Sequence, residues 1–279
     1  MVLADVDRPT FERGSAVPVA TYLVALGVLS AFVFVSPGKS PPPILGIVWG
    51  IFLAALAICA LYLEGVSPRS VLPSVRTFVP VIVLVVVFWG LYNLVAVGLA
   101  LAGVVGFEAT WSRVAAHPLA YLAALFSSLL FTAIPEELVF RAYLQQKFIE
   151  MAGGESRRAV GFGVVVAAVL FAVFHLPRWF LALEHGVGPA LVVRLSGLTL
   201  AGLAFGTVYA VTGNLWLVAV FHATMNSRPV LVTVSVPPEL HFVVGIIEYA
   251  TITSVVYLSV YLTEPERMAF TRSRQENSS

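Results

Sequence analysis

Charge is what this sequence has least of. Of its 279 residues only 11% are Asp, Glu, Lys or Arg, while 59% are hydrophobic. Soluble domains carry about 25% charged residues, so a soluble globular chain is excluded. Acids and bases nearly cancel to a net charge of +1. The basic residues are scattered along loops, and no patch points to a nucleic-acid partner. Cysteine is nearly absent: the single Cys59 lies in an apolar run, which excludes an internal disulfide and a Cys-rich metal site and leaves packing as its role. There is no H-E-x-x-H helix and no G-x-S-x-G elbow, so the signatures of soluble metalloproteases and serine hydrolases are missing. No internal repeat and no second domain can be found.

What is present is a series of apolar runs near the roughly 20 residues that cross a hydrocarbon core. They cover about Val17 to Val35, Ile44 to Leu63, Val79 to Gly103, Leu119 to Met151, Ala159 to Leu176, Ala190 to Val211, Leu215 to Asn226 with room to extend past Pro229, and His241 to Leu262. The pattern predicts an all-α polytopic membrane protein, residues 1–279 forming a single integral membrane domain with about eight transmembrane helices and a flexible polar tail over 264–279. The first run is too long for a cleavable signal and lacks a small-x-small site, so it reads as a retained anchor. An even number of crossings puts both termini on one side. Arg8, Arg13, Arg69, Arg76, Lys147, Arg157, Arg158, Arg267, Arg272 and Arg274 lie there, against Lys39, Arg113, Arg178, Arg194 and Arg228 opposite. This Lys/Arg bias predicts that the N- and C-termini are cytoplasmic.

Three clusters put ionisable side chains inside these runs: Pro135-Glu136-Glu137-Leu138-Val139-Phe140-Arg141, Phe171-Ala172-Val173-Phe174-His175 and His222-Ala223-Thr224-Met225-Asn226. Each charge near the bilayer centre costs roughly 2.5–3.5 kcal/mol on insertion scales, so such residues are functional candidates. Glu137 and Arg141 are four apart with the acid first, the favourable order for a helical ion pair. Glu136 lies about 100° around the helix from Glu137 and is free to face a cavity as a general base. The bland alternative is an ion-pair staple between helices, but a staple needs one acid per Arg and here there are two. His175 precedes Leu176-Pro177, where the pre-proline restriction predicts a helix terminus. His222 and Asn226 share a face and could hold water, stabilise an oxyanion, or serve as interhelical hydrogen-bond glue. Counted from the Gly153-Gly154 tip, Glu136 and His175 are level within a turn. His222 joins them if the hairpin, with its polar Gln145-Gln146-Lys147 end, projects into the cytoplasm, which would place the four groups in a wet cavity in the cytoplasmic leaflet. A carboxylate, two imidazoles and a carboxamide suit hydrolysis by activated water. Glu136, His175 and His222 are equally a zinc ligand set, and spacing alone does not separate the two.

In order and spacing, the three clusters resemble the CPBP intramembrane proteases, a family that includes the type II CAAX prenyl endopeptidases and bacteriocin-processing or immunity proteins. The resemblance covers residues 119–226, which it marks as a catalytic core. It implies that Glu136 activates water with help from His175, that His222 and Asn226 form the oxyanion side, and that Glu137, Arg141 and Phe171 are structural or supporting. It also implies an endopeptidase that cleaves near the C-terminus of a protein, isoprenylated in the CAAX branch, with zinc or a metal-free glutamate mechanism. The implied partners are membrane lipids and a peptide or protein substrate. The alternative on the same scaffold is a non-catalytic membrane binding or immunity protein, and a proton-relay transporter lacks the repeat halves it would need. Arg178 and Arg194 read as headgroup anchors.

Overall fold

Apolar runs of this length leave backbone polar groups without solvent, and helices satisfy them internally. The structure, a computed structural model, describes residues 9–35, 43–72, 75–154, 156–237 and 240–263. Its helices are α1 (Ala16–Val35), α2 (Pro43–Leu63), α3 (Phe78–Leu101), α4 (Pro118–Met151), α5 (Arg157–Ala182), α6 (Pro189–Thr212), α7 (Leu215–Asn226) and α8 (His241–Thr263). The protein is thus an all-α multi-pass membrane protein, with seven helices among the described residues long and apolar enough to cross a bilayer. The tail assigned to 264–279 lies outside the described residues.

The seventh run differs from expectation. At 12 residues, α7 is about 18 Å long, too short to span alone. Beyond it the chain continues as an extended segment to a strand, β2 (Val232–Val234), which pairs antiparallel with β1 (Phe107–Trp111). This small sheet marks the far end of the bundle, opposite the near end where α1 begins and α8 finishes. Apolar scanning does not register such short strands.

The polar end of α4 does not project into water. Gln145, Gln146 and Lys147 are all buried. Gln145 donates to the Gly206 carbonyl at 2.9 Å, and Gly206 leaves the room: a Cβ there would sit 2.8 Å from Gln145 Oε1. Gly202 likewise lets α6 close on Ala168 of α5, the small-residue contact typical of membrane helices. Lys147 pairs with Glu64 at 3.0 Å and donates to the Arg13 carbonyl. Tyr143 and the Arg13 backbone N–H also donate to Glu64, so the segment before α1 is tied to the near ends of α2 and α4.

Candidate active site

Glu136 and Glu137 occupy a single α-helical turn, Ile134–Glu137, between two π-helical stretches, Leu129–Ala133 and Leu138–Gln145. Pro135 accounts for the first stretch. It has no N–H for the Phe131 carbonyl and its ring crowds that carbonyl, so the hydrogen bonding slips to a wider turn, a distortion that recurs at functional sites. The Phe131 carbonyl is turned onto α2 at Gly50, where a Cβ would lie only 2.7 Å from the Phe131 Cα.

Glu137 is fully buried and fully engaged. One oxygen accepts from Arg141 Nε at 3.0 Å, and the other meets His222 Nδ1 at 2.7 Å. Arg141 also lies 5.2 Å from the centre of the Phe171 ring, a cation–π placement. With Nδ1 committed, His222 turns Nε2 toward Glu136 Oε2 at 3.8 Å, outside hydrogen-bond range. Phe205 stacks on the other side of the imidazole, ring centres 5.4 Å apart. Position 222 is therefore clamped between an acid and an aromatic ring.

Glu136 is different. Its Oε2 is buried and has no hydrogen-bond partner, and the residue lines a cavity of about 220 Å³ together with His175, Arg178, Thr132, Trp49 and Phe174. The regular helix ends at Phe174 with His175 as its C-cap, the terminus expected ahead of Pro177, and the chain then resumes helically through Pro177 into a π turn over Arg178–Ala182. The His175 ring Nδ1 lies 2.8 Å from the Phe171 carbonyl. A carbonyl only accepts, so Nδ1 carries the hydrogen and Nε2 is left as the free ring nitrogen. Phe171, 2% exposed, is packed behind the cavity, linking Arg141, His175 and His222 through its ring.

The structure thus brings Glu136 and His175 to one cavity, and Glu137, Arg141 and His222 to a buried cluster adjoining it. Asn226 is exposed at the last turn of α7, one turn beyond His222. Arg178, read from sequence as a headgroup anchor, is a cavity residue; its signal was the three-residue spacing from His175, which puts both on one helix face. The apolar wall supplied by Leu29, Phe32 and Val33 of α1 carries no sequence signal at all, because α1 is apolar on every side. Among the described residues no three His, Cys, Asp or Glu side chains converge in a way that could hold a metal ion. The set Glu136, His175 and His222 therefore does not fit zinc as arranged, and no step below passes through a metal.

The cavity walls come from the last turns of α1, the first turns of α2 and the last turns of α5, all at the far end. The cavity and the helix ends leading to the termini are on opposite sides. Cytoplasmic termini and a cavity in the cytoplasmic leaflet, both expected from the sequence, are therefore incompatible.

Residues 118–228 match the family model described as type II CAAX prenyl endopeptidase Rce1-like. The match spans α4 to α7, with both acids and both histidines, and leaves out α1 and α2, which complete the cavity. Comparison with curated proteins and with solved structures gives no match.

Proposed function

We propose that this chain, whose residues 118–228 place it with the CPBP intramembrane proteases, is an endopeptidase that cuts a membrane-presented peptide near its C-terminus. The observation that carries the reading is the carboxylate of Glu136, which has no hydrogen-bond partner at Oε2 and belongs to a residue lining the cavity shared with His175. Both oxygens of the neighbouring Glu137 are engaged, so Glu136 is the carboxylate available to take a proton from water.

In the proposed step, water held between Glu136 and the free Nε2 of His175 gives a proton to Glu136 as its oxygen bonds to the scissile carbonyl carbon. His222, fixed by Glu137, is placed to donate from Nε2 to the oxyanion when it carries the proton, and Asn226 is assigned to the same side. The C–N bond then breaks, and the proton passes from Glu136 to the leaving nitrogen. Glu137, Arg141 and Phe171 hold the geometry without touching substrate.

Orientation selects the substrate. If the Lys/Arg bias sets the termini in the cytoplasm, the cavity takes peptide from the outer face. If the cavity faces the cytoplasm, it takes an inner-leaflet tail, and an isoprenylated one becomes a fitting substrate. Single cysteines at Gly153 (near end) and His185 (far end), in a Cys59→Ser background, report the orientation through labelling by an impermeant maleimide on intact cells. The activity is tested in nanodiscs with S-farnesylated and unprenylated tail peptides, with and without a chelator. The wild type is expected to cleave and Glu136→Ala to be inert but folded. Cleavage by Glu136→Ala at the wild-type rate contradicts the assignment.

A further inference from the structure

A second cavity, of about 650 Å³, lies at the far end of the bundle against the small sheet. It shares no lining residue with the Glu136 cavity. Apart from Arg228, its lining residues also fall outside residues 118–228, so the family match does not account for it. Tyr92 comes from α3, Ser112 and Arg113 from the chain after β1, Thr233 from β2 and His241 from the first turn of α8, and six valines supply the rest of the wall. Its frame is fixed. Asn93 of α3 donates to the Pro229 carbonyl at 2.8 Å and accepts from the Leu231 N–H at 2.7 Å, while the Ser112 N–H donates to the Leu231 carbonyl at 3.0 Å. His241 Nε2 donates to the Val236 carbonyl at 2.8 Å.

The charges of this cavity do not cancel. No Asp or Glu is among its lining residues. Arg228 is neutralised by Glu248, which its Nη2 meets at 2.8 Å. Arg113 forms no ion pair among the described residues, so it brings the cavity a positive charge that no ion pair cancels. A small hydrated anion would leave the valines facing its water shell, whereas a molecule with an anionic head and an apolar body matches both parts of the wall. The site also lies where α8 begins, at the end of a bilayer-spanning helix and so at the level of the headgroups, and basic pockets between membrane helices at that level take anionic lipid heads. Arginine suits a phosphate through its planar fork of N–H donors.

We propose that this cavity binds an anionic phospholipid, its phosphate on Arg113 and Arg228 and its glycerol and upper acyl part along the valines. Arg228 lies two residues past Asn226, so the lipid ties α3, α8 and the segment that follows α7 together. The site stands whether or not the chain is a hydrolase.

The test measures binding of NBD-labelled phosphatidylglycerol to the full chain in detergent micelles, with NBD-labelled phosphatidylcholine as the neutral comparison. Arg113 is exposed, so Arg113→Gln leaves the fold intact. The wild type is expected to favour phosphatidylglycerol by about fivefold, the gain from one basic residue near an anionic headgroup, and Arg113→Gln to lose that preference. Arg158→Gln, which removes an exposed charge at the near end, is expected to keep it. Equal binding of the two lipids by the wild type, or equal loss in both variants, overturns the assignment, because general attraction between scattered charges would then suffice. Glycerol 3-phosphate separates a lipid from a free phosphate: displacement of the labelled lipid by it at millimolar concentration makes the site one for soluble phosphate and overturns the proposal as well. Melting in nanodiscs gives a second reading. Phosphatidylglycerol is expected to raise the melting temperature of the wild type above that in phosphatidylcholine alone, since a ligand of the folded state stabilises it, and to raise that of Arg113→Gln less. An equal rise in both contradicts the proposal.

Discussion

Two clusters of buried charge lie on α4, about two turns apart, and they differ at one carboxylate. Around Glu64 and Lys147 every carboxylate oxygen of Glu64 has a donor: Lys147 and the Arg13 backbone on one, Tyr143 on the other. Around Glu137 the same holds, with Arg141 and His222. Glu136, one residue away, has an oxygen with no partner and a cavity in front of it. Burial of charge is thus no marker of chemistry here, since all three acids are buried. Unpartnered buried atoms are no marker alone either, since Arg141, Gln145, Gln146 and Glu248 have them too; the marker is an unpartnered carboxylate on a residue that lines a cavity.

The largest effect should come from breaking the open cluster. Glu136→Gln is expected to lower the cleavage rate by roughly 10²–10⁴-fold, the usual contribution of a general base, with no loss of thermal stability because no hydrogen bond of Oε2 is broken. In the closed cluster the effects should be reversed. Glu64→Ala strands Lys147 and is expected to destabilise by about 3–5 kcal/mol, while Glu64→Leu with Lys147→Met should recover most of that; both are read by unfolding in detergent, and the folded fraction should keep its specific activity. Stability lost in Glu136→Gln, or specific activity lost in the Glu64 variants, would erase the distinction.

Gly50→Ala tests the link between the clusters and the backbone. Its Cβ would meet the Phe131 backbone beside the Pro135 distortion, so a destabilisation of about 1–3 kcal/mol is expected from overpacking, together with a fall in activity as Glu136 shifts. Unchanged activity and stability would show that α2 tolerates the displacement. The smallest effect should be at Asn226. It is exposed, so Asn226→Ala is expected to slow cleavage by well under the roughly 10²–10³-fold loss that follows removal of a buried oxyanion donor. A loss of that full size would place Asn226 against substrate in the working complex.

Much of this was legible in the sequence. Apolar runs marked the long helices because hydrocarbon imposes a length, and four-residue spacings marked the Glu137–Arg141 pair because a helix fixes which side chains meet. Partner choice across helices was not legible: His222 joins Glu137, a residue 85 positions away, and no spacing within either cluster signals it. The side on which the cavity opens was hidden for a similar reason. It depends on which turns of α1, α2 and α5 face one another, and in α1 and α2 the apolar residues run all around the helix. Pro177 marked the helix end capped by His175, but the pre-proline restriction is local and did not foretell that the chain resumes beyond it as a widened turn. Arg178 was visible but ambiguous, since its nearness to His175 gains meaning only once both line one cavity.

The most direct measurement is single-turnover cleavage of one tail peptide in nanodiscs by the wild type and by Glu136→Gln, with melting temperatures recorded on the same samples. A rate at least 100-fold lower in the variant, at an unchanged melting temperature, is the expected result, since roughly 10² is the lower bound for a general base. Equal rates, or a slower variant that is also partly unfolded, would contradict the claim that the free oxygen of Glu136 activates water.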